Sequence, residues 1–161
     1  MSSDKTEAMP TTTERVSDRE LVVTRRVNAP ARLVFQAWTT ADLMKRWWVP
    51  ASFGLTLLSI DMDVRTGGTY RLVFAHPAAP DGMAFFGTYQ EVIPNAKLVW
   101  TNEESPDGAV STVTFAEKDG MTEVVLHEIY PSKAVLDEAM ANGSNGAWPE
   151  QFAALDALLA G

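Results

Sequence analysis

The amino-acid sequence predicts an α+β fold, in which a curved antiparallel sheet of about seven strands wraps around a long C-terminal helix. Six strand-like segments follow one another between residues 55 and 130 with short turns, and short turns force antiparallel pairing. Two short helical segments stand between the first and second strands. A helical pattern then closes the chain, with Trp148, Phe152, Leu155 and Leu159 on one apolar face.

The strands are predicted from apolar residues that alternate with polar ones. The first covers residues 20–28, and the others cover residues 55–64, 69–76, 83–93, 97–102, 110–117 and 121–130. Gly67-Gly68 predicts a hairpin between the second and third strands, because paired glycines supply positive φ angles. Residues 77–82 (PAAPDG) are predicted to form a loop on their turn chemistry.

The helices are predicted from capping residues and apolar faces. Pro30 suits a first helical position, because its missing N–H would have no partner there. Thr39 or Thr40 can cap the second short helix, and Pro50 ends the segment after a Trp-Trp pair. Ser132 can cap a helix that runs to about residue 141, and residues 142–146 (NGSNG) interrupt it before the last helix.

Composition limits the classes of protein that this chain can represent. Its 161 residues suggest one domain, and the absence of cysteine excludes disulfides, thiolate metal sites and thiol nucleophiles. A net charge of −8 disfavours nucleic-acid binding. Residues 1–18 lack an apolar run, so they are predicted to be a disordered leader rather than a signal peptide or membrane span, ahead of a domain over residues 19–161. The expected compartment is the cytoplasm.

Metal and cofactor chemistry finds little support in the sequence, and no cofactor is predicted. Two histidines, His76 and His127, without cysteine or a His-x-x-x-His spacing, make a poor metal site. Asp61-x-Asp63-x-Arg65 resembles the opening of a calcium loop, but Arg65 fails at the fifth ligand position, so Asp63 and Arg65 are expected to form a surface pair. No phosphate-binding loop, dinucleotide fingerprint or Ser-His-Asp spacing is present.

Four polar residues are candidates for an acid–base or hydrogen-bonding role inside the fold. His127 adjoins Glu128 in the last strand, so the two should point to opposite faces. An inward His127 could act as an acid–base group, against the alternative of a partly buried strand histidine. Tyr89 and Glu91 share a face and could form a buried pair, and Tyr70 could also face inward; an outward Glu91 is the simpler reading.

One helix cannot fill a curled sheet of seven strands at native packing density, so a cavity between sheet and helix is expected. Its lining would be large and apolar, which predicts an apolar or aromatic ligand with one or two polar handles. Three of the five tryptophans are candidates for its opening: Trp47, Trp48 and Trp148. The full predicted ligand-binding set is Trp47, Trp48, Phe53, Met62, Tyr70, Phe74, Phe86, Tyr89, Trp100, Phe115, His127, Trp148, Phe152 and Leu155.

Several motifs in order resemble those of the heat-shock-protein-90 ATPase activator homologue family, within the START/SRPBCC helix-grip superfamily. The resemblance covers about residues 20–160 and implies the helix-grip fold. Its residues are Ala29-Pro30, Val34-Phe35, Ala37-Trp38-Thr39, Leu43, Trp47-Trp48-x-Pro50, Asp63-x-Arg65-x-Gly67-Gly68-x-Tyr70-Arg71, Gly87-x-Tyr89-x-Glu91-Val92-x-Pro94-x-x-x-Leu98-Val99-x-Thr101, and Trp148, Leu155 and Leu158. The chain departs from the family pattern at Val49, where glycine is frequent, and at Ala147.

Three functions remain open at this point. The first is a binding module for a hydrophobic or aromatic small molecule. The second is an enzyme of the cyclase or hydrolase kind that the superfamily also contains, using polar side chains of the cavity. The third, implied by the family resemblance, is a stress protein that interacts with a chaperone. Homodimer formation is left open, and neither a nucleic acid nor a membrane is expected as a partner.

Overall fold

The computed structural model describes residues 11–48, 54–77, 79–103, 108–141 and 148–160. These residues form one antiparallel sheet and four helices, which confirms the predicted α+β class. The strands are β1 Thr12–Arg15, β2 Glu20–Val27, β3 Thr56–Met62, β4 Thr69–His76, β5 Ala79–Ile93, β6 Lys97–Thr101, β7 Val110–Lys118 and β8 Met121–Ile129. The helices are α1 Ala31–Thr39, α2 Ala41–Met44, α3 Lys133–Ala141 and α4 Trp148–Ala160.

The sheet has eight strands in the order β1-β2-β8-β7-β6-β5-β4-β3. From β3 to β8, each strand pairs with the next one along the chain, as the short turns predict. The first predicted strand, β2, joins this meander by pairing with β8. The two edges of the sheet are therefore β1 and β3.

The first strand of the sheet, β1, lies inside the segment predicted to be disordered. Thr12–Arg15 pairs with β2, and the Arg15 guanidinium lies 2.6 Å from the Asp137 carboxylate on α3. The hydroxyl of Thr11 accepts a hydrogen bond of 3.0 Å from Arg25. Main-chain pairing and these polar contacts order a strand that has no apolar alternation, so the predicted domain start at residue 19 is too late. Residues 1–10 lie outside the described residues.

The predicted loop over residues 77–82 is also wrong in part, because β5 begins at Ala79. His76 pairs with Ala79, and the ladder then shifts register before Phe74 pairs with Met83. The irregular register accommodates the turn-forming residues within a strand. The long β5 strand pairs with β4 along its first part and with β6 along its last part. At Gly87 an added Cβ would come within 2.0 Å of the Thr101 carbonyl oxygen, so only glycine fits.

The two short helices form where the sequence predicts them. Pro30 precedes α1, and the Ala31 N–H donates to the Glu117 carboxylate on β7 at 2.8 Å. Thr40 precedes α2, but its hydroxyl does not make the expected capping hydrogen bond. The hydroxyl of Thr39 instead donates to the Phe35 carbonyl at 2.8 Å. These helices bring the Trp47-Trp48 pair against Trp38 of α1.

The C-terminal helices contact the sheet at β1 and β2. Ser132 caps α3 as predicted, since its hydroxyl accepts a 3.2 Å hydrogen bond from the Val135 N–H. Helix α4 packs on β2 and α1, and its residues Phe152 and Leu155 are fully buried. The face of the sheet that packs against the helices is called the inner face below. Alternate residues of the central strands bury there, including Val113 and Leu126.

Candidate functional site

A row of residues crosses the inner face at one end of the sheet. The register places Glu128 of β8 opposite Leu21 of β2 and Ser111 of β7. Ser111 in turn lies opposite Trp100, and Trp100 opposite Tyr89. Directly paired residues share a face, so this row points toward the helices. A carboxyl and a buried hydroxyl thus interrupt an otherwise apolar face.

Hydrogen bonds connect this row into a chain of polar side chains. The Tyr130 hydroxyl donates to Oε1 of Glu128 at 3.0 Å, and the Ser111 hydroxyl lies 3.4 Å from Oε2. The Asn102 amide donates to the Ser111 hydroxyl at 3.3 Å. At that end the Tyr70 hydroxyl donates to the Thr101 carbonyl at 2.7 Å and lies 3.3 Å from Oδ1 of Asn102. We call these five residues, Tyr70, Asn102, Ser111, Glu128 and Tyr130, the inner polar chain.

The electrostatics of the inner polar chain centre on Glu128. Burial raises the pKa of this carboxyl above its ordinary value, while hydrogen bonds from Tyr130 and Ser111 and the charge of His127 act in the opposite direction. Ser111 is only 1% exposed, whereas Glu128 keeps partial contact with solvent. A carboxyl that is largely desolvated yet still reachable is typical of acid–base and ligand-binding sites.

Of the two alternatives for His127, the structure shows the partly buried strand histidine and not the inward acid–base group. Its Nε2 atom lies 2.8 Å from the Glu20 carboxylate, on the face of the sheet opposite the core. Side chains alternate between the two faces of a strand. Because Val124 and Leu126 are buried on the inner face, Glu128 also points to the inner face and His127 points to the outer one. The alternation of apolar residues along β8 therefore predicts an inward Glu128, although the acid–base chemistry of histidine favoured His127 as the candidate.

The Trp-Trp pair divides between core and partly exposed positions. Trp47 is fully buried, and its indole N–H donates to the Ala37 carbonyl at 3.0 Å. It belongs to the core, so its predicted place at a cavity opening is wrong. Trp48 is only partly buried and packs edge-on against Trp47, with 5.3 Å between ring centroids. The Trp48 carbonyl accepts a 2.5 Å hydrogen bond from Gln151 of α4.

The remaining members of the predicted ligand-binding set fall into four groups. Those that the structure buries in the core are Phe74, Tyr89, Trp100, Phe115, Phe152 and Leu155. Burial raises the pKa of the Tyr89 phenol well above its ordinary value. Met62 and Tyr70 are partly buried on the inner face. Phe86 is 39% exposed on the outer face, so its predicted inward position is wrong. Phe53 and the Trp148 side chain lie outside the described residues.

An apolar surface lies on the inner face at the end of the sheet away from β2. Leu57 of β3, Phe74 of β4 and Met83 of β5 align in register, and beside them Phe85 lies opposite Leu72. Met83 is 37% exposed and Phe85 is 39% exposed, although both share a face with the core. We call Leu57, Ile60, Phe74, Met83 and Phe85 the inner apolar patch. Tyr70, two residues from Leu72 on β4, connects this patch with the inner polar chain.

The outer face carries a shallow depression next to Phe86. Its volume is about 310 Å³, and its polar lining includes Arg71 of β4 and Glu103. The expected surface pair also lies away from the core, with Nε of Arg65 2.9 Å from the Asp63 carboxylate. Within the described residues, no three His, Asp or Glu side chains come together in a way that could hold a metal ion.

The fold and the inner face define the class of this protein as an α+β helix-grip domain, a ligand-binding or activator-like module. A family model described as "Activator of Hsp90 ATPase homolog 1-like protein" matches residues 28–160, and the chain belongs to that family. The sequence-based resemblance is thereby confirmed. No curated protein matches the chain. Among the described helices, none has the length and apolar character that crossing a bilayer requires.

Solved structures show the same fold at low sequence identity. A protein from Rhodobacter sphaeroides is 19% identical, with a TM-score of 0.84 over 93% of this chain and 97% of its own. A Nitrosomonas europaea protein is 19% identical, with a TM-score of 0.80 over 90% and 96%. A Mycobacterium smegmatis protein is 22% identical, with a TM-score of 0.78 over 94% and 98%. At these identities the likeness establishes the fold alone.

Proposed function

We propose that the protein is a binding module for a hydrophobic or aromatic small molecule, held on the inner face of the sheet. One observation carries the proposal: exposed apolar side chains of the inner apolar patch lie on the same face as Tyr70, the end of the inner polar chain next to the patch. Ligand sites are mostly apolar with a few placed polar groups, and this juxtaposition has that composition. The apolar body of the ligand would lie on the patch and its polar handle on the chain.

The exposure of Phe85 and Met83 supports the position of the ligand body. The Phe85 ring lies 5.4 Å from the Phe74 ring, which is 4% exposed, so a ligand on this surface would extend the core. Of the two candidate tryptophans whose side chains are described, Trp48 is the partly exposed one. Its indole would report a nearby ligand through a change in fluorescence.

Phe85 and Phe86 provide a matched pair of variants to test the site. The two residues are adjacent, each is 39% exposed, and they lie on opposite faces of the sheet. Titration with an apolar fluorescent dye such as 1-anilinonaphthalene-8-sulfonate should give saturable binding. Phe85→Ala should weaken it severalfold, while Phe86→Ala leaves it unchanged. Loss of binding in Phe86→Ala alone would place the dye in the outer depression and refute the proposal.

Native mass spectrometry of the protein purified from its own cells would then identify the natural ligand. A bound small molecule that is lost in Phe85→Ala would support the binding module. A co-purifying chaperone, with neither a retained small molecule nor saturable dye binding, would favour the interaction function implied by the family name.

An enzyme of the cyclase or hydrolase kind is the second candidate function. The observation that favours it is Glu128, a carboxyl with a pKa raised by burial and hydrogen-bonded to a tyrosine. A carboxyl whose pKa is raised can exchange a proton with a bound ligand. Chemical change in a natural ligand incubated with the wild-type protein, but not with Glu128→Gln, would establish this activity.

A further inference from the structure

We propose that the ligand of the inner face carries a carboxylate handle, and that His76 binds it at the end of the inner apolar patch opposite Tyr70. The inference rests on the proposed function, because it names the chemical class of the ligand that this surface takes. It adds a second handle to the one expected near Tyr70. Two observations support it: the position of the imidazole in the sheet, and the uncharged character of the other inward side chains around it.

His76 lies on the inner face, next to the inner apolar patch. Leu72 and Phe74 of β4 are buried on that face, and His76 follows Phe74 in the same phase of the strand. The side chain of His76 is partly buried. Successive inward side chains of a strand are about 7 Å apart, so one small ligand can contact both residues. Met83, which is 37% exposed, lies opposite Phe74 and extends the same apolar surface.

The other inward side chains at this end of the sheet carry no charge. On β3, β4 and the paired part of β5 they are Leu57, Ile60, Met62, Tyr70, Leu72, Phe74, Met83 and Phe85. The carboxylate of Asp61 on β3 lies on the outer face, where its residue pairs with Arg71. Asp81 is exposed in the irregular part of β5. Among these inward side chains, a cationic handle would find no counter-ion, whereas an anionic handle would find an imidazole.

The chemistry of an imidazole suits a carboxylate. A ring N–H can donate to a carboxylate oxygen, and such a charge-assisted hydrogen bond is about twice as strong as a neutral one. Histidine also takes up a proton readily near neutral pH, and a bound carboxylate favours the cationic form. The net charge of −8 opposes an anion at long range, but salt at physiological strength screens that repulsion beyond about 8 Å. The groups that touch the handle therefore decide which handle binds.

Three probes with one ring system and different handles test the inference: 1-naphthoate, 1-naphthalenemethanol and 1-naphthylmethylamine. Calorimetric titration near pH 6.5 should show that the naphthoate binds about tenfold more tightly than the alcohol, as expected for a hydrogen bond to a charged group. The amine should bind most weakly. His76→Leu should remove the preference for the naphthoate and preserve binding of the alcohol, because leucine keeps an apolar side chain on the patch.

His127→Leu is the matched control, because His127 is the other histidine of the chain and lies on the outer face beside Glu20. This variant should keep the order of the three probes. Should His76→Leu fail to fold, His76→Gln serves instead: its amide remains a neutral donor and should narrow the gap between naphthoate and alcohol. Equal binding of the three probes, tightest binding of the amine, or an unchanged preference in the His76 variants would overturn the carboxylate assignment and leave the binding module intact. If no probe binds, the proposed function itself fails.

Discussion

Phe152→Ala tests the position of the C-terminal helix, on which the whole inner face depends. Phe152 is fully buried on α4, and its ring centroid lies 6.4 Å from that of Trp38 on α1. Truncation removes an aromatic ring from a site where two helices and the sheet meet. The surrounding tryptophans are large and interlocked, so the core should close the resulting void only in part.

The expected cost is about 3–5 kcal/mol, the usual range for a buried phenylalanine replaced by alanine. A domain of this size has a stability of roughly 5–15 kcal/mol, so the variant should still fold at low temperature. Urea unfolding reports the difference directly. With a slope of about 2 kcal/mol per molar, the midpoint should fall by roughly 1.5–2.5 M.

Phe86→Ala is the control for this measurement, because Phe86 is 39% exposed on the outer face. Its midpoint should shift by no more than a few tenths of a molar. Equal shifts for the two variants would refute the reasoning, because they would show that the ring of Phe152 is no better buried than one on the surface. A shift near zero for Phe152→Ala would mean that α4 does not pack on the sheet.

Three further predictions follow from the described contacts. Burial raises the pKa of Glu128 in the folded state, so this residue contributes most to stability at low pH, and the contribution is lost as the pH rises through that pKa. In urea unfolding, the stability of Glu128→Gln relative to wild type should therefore increase from pH 4 to pH 8. A stability difference that stays constant over this range would contradict the prediction. Arg25→Met should lower the free energy of unfolding by about 3 kcal/mol because Asp156 loses its partner, whereas the double variant Arg25→Met/Asp156→Leu should recover most of it. Deleting residues 1–18 removes β1 and should lower the melting temperature by at least about 3 °C; an unchanged value would favour the sequence-based prediction of a leader without a structural role.

Most of the fold could be predicted because its elements follow strong local patterns. The strands from Val110 to Ile129 alternate cleanly, and Pro30 and Ser132 mark helix starts. β1 was missed because Thr12–Arg15 is entirely polar, and pairing with β2 rather than apolar alternation orders it. The start of β5 was missed because residues 79–82 have the composition of a turn, which an irregular register tolerates.

The candidate site was harder to predict because it depends on the face that each strand buries. Phe85 and Phe86 are chemically identical neighbours, and only the pairing of β5 with β4 decides which of them lies inside. His127 and Glu128 pose the same problem on β8. Trp47 and Trp48 lie beyond α2 in a turn, where no periodicity applies, so only tertiary packing separates the buried indole from the partly exposed one.

The pairing of β2 with β8 has a consequence for how the protein is made. Glu20 lies opposite Ile129, so strands separated by more than one hundred residues are neighbours in the sheet. During synthesis β2 leaves the ribosome long before its partner exists, and α1 emerges before the β7 carboxylate of Glu117 that holds its first turn. Non-local pairing of this kind slows folding and keeps apolar strands exposed in the meantime. The nascent chain thus completes its sheet only when the last strand, β8, has been synthesised.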